Sequence, residues 1–541
     1  MIGAGLLAWV CGVTQGVAQV SPPAPEYPEG DETPRGMTEA ERAWVREHPI
    51  VAPPARGGAP TGPVRCAAEY EPMEGIMIAY EGSGGWLSIL RQMAAQITTV
   101  GGANVYVMCD TSSEAVSVQS AMAAQGVDMS RLFTYVKPTN TIWMRDYGPR
   151  YIYEGGVRAI VDHTYNRPRP QDNGVPDYWA GVRGEAEYQI PLVHGGGNYH
   201  LDALGESATT RLINNENPSL SEAEIVQLWR DYQNVETTMF DPFPTFVDST
   251  QHIDMWMQIA ADDVVVISDW PLQQGSTQDV ICETAAADFA SRGYTVVRVP
   301  AVRSGGTHYT FTNVVMCNDL ILVPEYDAIA ATYSSQALAA WQAAFPDKTV
   351  VQIDCDAIVT AAGVMHCIVM HVPACSGGAS PVVWVSSLNG GETLEPGQIV
   401  GVEWRTDDDQ KDIASVDVLL SVDGGASFTP LQEGMDDLGV YGWVVPDVAT
   451  TQGVLRVIAR DGDGNSGFDD TDLPLTINGT NAGCNGADLS EPYGSLDFSD
   501  VVAFLGAFGA MDPAADLAAP FGSFDFSDVA AFLAAFGAGC P

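Results

Sequence analysis

At 541 residues the chain is far longer than one typical domain, so two or more domains with sizeable cores are expected. A hydrophobic fraction of 46% excludes wholesale disorder. With 69 acidic against 24 basic residues, a formal net charge of −45 and lysine only at Lys137, Lys348 and Lys411, the surface repels nucleic acid and anionic lipid. Such a surface suits solubility in salty surroundings and would also draw in cationic ligands.

Residues 1–18, MIGAGLLAWVCGVTQGVA, read as an export signal, with the small residues Gly16-Val17-Ala18 before the cut, so a secreted or cell-surface protein is expected. Thr14, Gln15 and several glycines dilute the run below what a membrane anchor needs, so no membrane span is expected in the mature chain. Trp9 and Val10 are too bulky before Cys11 for lipoprotein attachment. Removal of Cys11 would leave nine of ten cysteines, an odd number, and so at least one unpaired thiol. Residues 19–63 are rich in Pro, Gly and Glu and read as a linker. Within them Thr38-Glu39-Ala40-Glu41 has capping-box spacing and Pro49 stops the run, which predicts one short helix.

From 64 to 376 short apolar runs alternate with helical patterns. Strands are expected at Gly75–Tyr80, Asn104–Met108, Val264–Ile267, Thr295–Val299 and Leu320–Val323. Helices are expected near Ser112–Gln125, Thr277–Arg292 and Ser334–Phe345, so the region is an α/β domain. Beyond Pro373 the pattern changes to period two, at Val382–Val385, Ile399–Trp404, Val416–Ser421 and Leu455–Ala459. The turn clusters Asn389-Gly390-Gly391 and Asp423-Gly424-Gly425 separate these runs, and residues 380–478 read as an immunoglobulin-type β-sandwich.

The tail, 484–541, repeats itself at a period of 28 residues, with ADLSEPYGSLDFSDVVAFLGAFG from Ala487 echoed from Ala515. Asp488, Asp497 and Asp500 in one copy, and Asp516, Asp525 and Asp528 in the other, precede an apolar helix. Carboxylates on a tight loop suit Ca²⁺ and equally suit N-terminal caps of two helices. The order resembles a dockerin, but the spacing is off by one residue and the closing Glu is absent; the resemblance implies a cell-surface or cohesin-like partner. Cys484 and Cys540 bracket the repeats and are expected to pair.

Three features of the α/β domain carry chemistry: Trp143-Met-Arg-Asp-Tyr-Gly-Pro149, His252-Ile-Asp254 and His366-Cys367. Taken singly each is weak; in this order they resemble the guanidine-modifying superfamily, whose fold is a five-bladed ring of α/β modules, the pentein. Gly62–Arg65, Ala68-Glu-Tyr70, Tyr165–Pro170, His194–Tyr199 and Thr312-Asn313 extend the likeness to the Porphyromonas-type peptidylarginine deiminases over residues 60–375. The resemblance implies that Asp146 and Asp254 grip a guanidinium, that Cys367 attacks its carbon and that His252 moves the protons. It also implies substrate contacts from Trp143, Asn313, Arg167 and Arg169, the two arginines meeting the carboxylate of a C-terminal arginine. Ser249 stands where that family has a tyrosine.

Elementary chemistry agrees. Two carboxylates match the planar, forked cation and leave one face of its central carbon open. A thiolate is the strongest ordinary nucleophile, and a charged electrophile calls for no cofactor. The product would be citrulline plus ammonia, from an arginine-containing peptide or protein. An agmatine or free-arginine deiminase shares the same four residues, and an inactive cell-surface binding protein is the reading of another class. His366, next to Cys367 on an expected strand, should face away from it. Arg145 is expected to pair elsewhere, and Cys317, Cys355 and Cys375 fit core thiols or disulfides.

Overall fold

The computed structural model describes residues 24–54, 57–479, 484–519 and 521–540. The expected export signal lies outside these residues. Among the described residues no helix is long and apolar enough to cross a membrane.

Besides the hairpin Val302–Ser304 with Thr307–Tyr309, residues 64–373 build five sheets on one plan, an antiparallel pair followed by a parallel strand. A helix bridges each parallel pair, because parallel neighbours need a long crossover. Val157–Tyr165 pairs antiparallel with Arg150–Glu154 and parallel with Ala186–His194, the helix Val175–Arg183 lying between. The same arrangement recurs around Glu206–Thr210, Val264–Asp269 and Leu320–Glu325, with crossover helices Glu222–Gln233, Thr277–Ser291 and Ala331–Ala344. In the fifth sheet Met73–Ala79 takes its antiparallel partner from the far end of the domain, Met370–Pro373. Its parallel partner Asn104–Cys109 follows the helix Gly84–Thr99, and Leu132–Val136 adds a further parallel strand after the helix Ser112–Gln125. The near-continuous apolar strands, such as Ile76-Met77-Ile78-Ala79 and Leu320–Val323, are buried on both faces.

The plan has a consequence for chemistry. A buried turn precedes the antiparallel strand of each sheet: Met144–Tyr147, Gly196–Asn198, Ile253–Met255, Thr312-Asn313 and His366–Ile368. Five sequence-distant turns therefore supply side chains to one place.

Residues 382–478 form a three-stranded and a larger sheet around one core, including Val385, Trp404, Val418, Trp443, Val457 and Leu475. In Ala449–Asp461 Leu455, Val457 and Ala459 point inward and alternate with more exposed residues, the period of two read from the sequence. The two bodies are locked together. Arg158, with no side-chain exposure, donates Nε to Asp407 at 2.7 Å and Nη2 to the same carboxylate at 3.0 Å. It also meets the carbonyls of Pro373 at 2.8 Å and Asp408 at 3.0 Å. Trp384 lies on Gly155, where a Cβ would come within 2.1 Å of its ring and where φ is +60°. Arg158→Ala would leave the buried Asp407 with Lys411 as its remaining cation, and chemical denaturation should show a loss of about 3–5 kcal/mol. A loss under about 1 kcal/mol would show that the pair is dispensable.

In the tail, Phe498–Ala510 and Phe526–Ala538 are helices, Phe504 stacks on Phe532 at 4.2 Å, and Cys484 is bonded to Cys540. All six expected carboxylates accept backbone N–H groups. Asp497 and Asp525 are N-caps, Asp500 and Asp528 complete capping boxes, and Asp488 and Asp516 receive Gly494 and Gly522. One buried oxygen on each of Asp488 and Asp516 has no hydrogen-bond partner.

Candidate active site

The four residues singled out from the sequence meet. Asp146 sits in the one-turn helix Met144–Tyr147, His252 caps the turn Ile253–Met255 that carries Asp254, and Cys367 lies in His366–Ile368. All four side chains are fully buried. His252 Nδ1 is 3.4 Å from Asp146 Oδ1. Asn313 donates Nδ2 to Cys367 Sγ at 3.2 Å and to the Asp254 carbonyl at 3.1 Å, tying the sulfur to the clamp.

Between the two carboxylates lies a guanidinium, that of Arg35. Its Nε and Nη2 donate to Asp146 at 3.0 and 2.7 Å, and its Nη1 and Nη2 donate to Asp254 at 3.0 and 2.9 Å. Nη1 is 2.6 Å from Cys367 Sγ, and Nη2 is 2.8 Å from His252 Nδ1. Two bidentate pairs are the arrangement a forked cation takes when it is removed from water. The glycines after His194 make room for it, since a Cβ on Gly197 would lie 1.8 Å from Arg35 Nη2.

The charges respond accordingly. Burial alone would raise both carboxyls, but the Arg35 cation outweighs it and holds Asp146 and Asp254 well below the usual carboxylate range; His252 adds to this at Asp146 and His366 at Asp254. Burial pushes the Cys367 thiol well above its ordinary value, Arg35 pulls it back, and the two carboxylates push with burial. A guanidinium in the clamp therefore favours the thiolate that would attack it.

Trp143 and the two expected binding arginines contact the backbone that flanks Arg35. Trp143 Nε1 donates to the Thr33 carbonyl at 2.8 Å, and Arg167 Nε donates to the Arg35 carbonyl at 3.2 Å. Arg169, almost wholly buried, pairs with Glu41 at 2.7 Å and reaches the Pro34 carbonyl at 2.9 Å.

Two expectations need correction. His366 does not face away from the site. Residues 366–368 form a 3₁₀ turn rather than the start of a strand, so strand alternation does not apply, and His366 Nδ1 lies 3.0 Å from Asp254 Oδ2. Its Nε2 reaches Glu69 at 2.9 Å, and Glu69 also pairs with Arg145 at 2.6 Å. Glu69, within Ala68-Glu-Tyr70, thus supports the turn that carries Cys367, a role that the sequence alone does not show. The second correction concerns residues 19–63. Their described part does contain the short helix, Glu39–Glu47, with the Thr38–Glu41 capping box, but it is packed into the site and is not a free linker. Cys317, Cys355 and Cys375 are unpaired and buried.

A family model described as Porphyromonas-type peptidyl-arginine deiminase matches residues 65–373. A provisionally named agmatine deiminase of Vibrio parahaemolyticus is 26% identical over 359 residues, spanning 57% of this chain and 96% of its own. One of Shewanella sp. (strain MR-7) is 28% identical over 298 residues, spanning 46% and 78%. Among solved structures, a provisionally named arginine deiminase from Porphyromonas gingivalis superposes with a TM-score of 0.50 at 20% identity, covering 57% of this chain and 98% of its own. The agmatine deiminase of Enterococcus faecalis superposes with a TM-score of 0.50 at 21% identity, covering 59% and 98%. These likenesses in structure speak for the α/β fold.

Proposed function

Since the chain belongs to the Porphyromonas-type peptidyl-arginine deiminase family, we propose that it hydrolyses the guanidinium of arginine in peptides to citrulline and ammonia. The observation that carries the reading is a guanidinium gripped edge-on by Asp146 and Asp254 with a thiol and an imidazole against it. Cys367 Sγ, as thiolate, would add to the central carbon of a bound substrate, and a C–N bond would break as ammonia leaves with a proton from His252. His252 would then take a proton from water as its oxygen attacks the covalent adduct, and the C–S bond would break to return the thiolate and citrulline. Asp146 and Asp254 hold the charge throughout, so most of their contribution is positioning in a site closed to water.

Relatives named as agmatine deiminases favour a second reading, a small guanidine as substrate. The groups around Arg35 support a peptide instead, because Trp143, Arg167 and Arg169 meet main-chain carbonyls that agmatine lacks. Prolines at 168 and 170 stiffen the segment that presents the arginines. An arginine at a peptide's C-terminus would offer Arg167 a full carboxylate in place of one carbonyl oxygen. A peptide ending in arginine should therefore be turned over faster than its C-terminal amide, and Arg167→Ala should shrink the gap, read as kcat/KM on the paired peptides. Equal rates on acid and amide would remove the carboxylate preference, and agmatine outpacing both would favour the second reading.

We also propose export of the chain, a ring closure of the five modules, an immunoglobulin-type sandwich and a cohesin-like partner for the repeats. The apolar leader, the pairing of Met370–Pro373 with Met73–Ala79, the period-two strands and the 28-residue repeat support these in turn.

A further inference from the structure

The cation in the clamp belongs to the chain itself. Resting on the deiminase reading above, we propose that residues 33–36 are an internal pseudosubstrate: Arg35 keeps the protein latent, and outside arginines reach Cys367 only once this segment is displaced.

The segment is bound as a peptide ligand would be. Trp143 holds the Thr33 carbonyl at 2.8 Å, Arg169 the Pro34 carbonyl at 2.9 Å and Arg167 the Arg35 carbonyl at 3.2 Å, while the Arg35 N–H donates to the Ala361 carbonyl at 3.0 Å. The chain continues past the arginine because the wall there is small. Gly36 backs onto Ser249, whose Oγ a Cβ on the glycine would approach to 3.1 Å.

Anchors on both sides keep the ligand from leaving as a product or a passing peptide would. Downstream, Thr38 caps the helix Glu39–Glu47, and Glu41, 1% exposed, pairs with Arg169. Upstream, the Tyr27 hydroxyl lies 2.9 Å from both Glu41 and the Pro168 carbonyl, and Ser83 donates to Glu32 at 3.0 Å. Arg35, Asp146, His252, Asp254 and Cys367 all have 0% exposure, so nothing outside touches the sulfur while the segment is in place.

The contact with the nucleophile is that of an inhibitor. Arg35 Nη1 donates its N–H to Cys367 Sγ, which places the sulfur toward the edge of the planar group. Attack on the central carbon needs it over the face. A tethered competitor acts at a high effective concentration, so latency should be independent of enzyme dilution.

The test uses the full chain, wild type and Arg35→Ala, with two readouts: iodoacetamide alkylation mapped to the Cys367 peptide, and turnover of an arginine peptide. Arg35→Ala should alkylate at least about tenfold faster, and its KM for the peptide should fall by a similar factor with kcat little changed. Glu41→Gln, which loosens the helix anchor away from the clamp, should shift both readouts in the same direction, and covers the case in which Arg35→Ala fails to fold. Equal alkylation in wild type and variants would overturn the proposal, as would conversion of Arg35 to citrulline in the wild type but not in Cys367→Ala, since Arg35 would then be a substrate. Faster alkylation with no turnover of any arginine compound would uphold the plug and sink the deiminase reading alone.

Discussion

Cys367→Ala should abolish release of ammonia from arginine peptides, a loss on the order of 10⁴-fold or more, because no other group can form the covalent adduct. Among the described residues the other unpaired cysteines are buried as well, and Cys367 is the one that bonds to the clamped guanidinium. Folding should survive. The residue sits in a turn held by backbone bonds from Ile368 to Met365 and Val369 to His366, and alanine fits that backbone. A far-ultraviolet spectrum and melting profile matching wild type, together with loss of citrulline production, is the expected pair of results. Normal citrulline production by the variant would remove Cys367 from the mechanism.

Asp146→Asn and Asp254→Asn should each lower kcat/KM by about 10²-fold or more, several kcal/mol of transition-state stabilisation. Each change removes one of two charges balancing a buried cation and turns an acceptor edge into one that also presents N–H donors. Asp146 accepts from Arg35 Nε and Nη2 and also from the Gly197 N–H at 3.2 Å, so the amide would face a donor it cannot satisfy. Asp254 additionally bonds His366, so its loss should also loosen the turn that carries Cys367. The same substitutions weaken the hold on Arg35, which would offset part of the loss in the full chain. The effect is therefore to be measured in the Arg35→Ala background as well. A drop below tenfold for both variants in that background would place the clamp elsewhere.

Local pattern carried much of this architecture. The helix expected at Ser112–Gln125 has those bounds, fixed by Thr111 at the N-cap and Gly126 in the left-handed conformation after it. The helix expected from Ser334 begins earlier, at Ala331, because Ala330 offers no capping side chain that composition could flag. The apolar run Cys367–Met370 has no breaker and reads as strand throughout, whereas the strand starts only at Met370. The four candidate residues are legible because their types and order are distinctive. Arg35 was not. Its partners Asp146 and Asp254 lie 111 and 219 residues away, and one arginine in an acidic stretch gives no local sign of where it will dock. Glu69 was hidden for the same reason, since its bond to His366 spans 297 residues.

The lock between Arg158 and Asp407 bears on how this chain can be cut. A fragment ending at 373, where the family likeness stops, would take away Asp407, the Asp408 carbonyl and Trp384 together. Arg158 would then be left with Glu74 and the Pro373 carbonyl at a freshly opened terminus, and the glycine-floored seat of Trp384 at Gly62 and Gly155 would lie bare. Such fragments should precipitate or melt early, and the intact body spanning both regions should melt in one cooperative step instead of two. The β-sandwich thus acts as a buttress for the catalytic half, and homology boundaries mark ancestry here more faithfully than they mark a unit that folds alone.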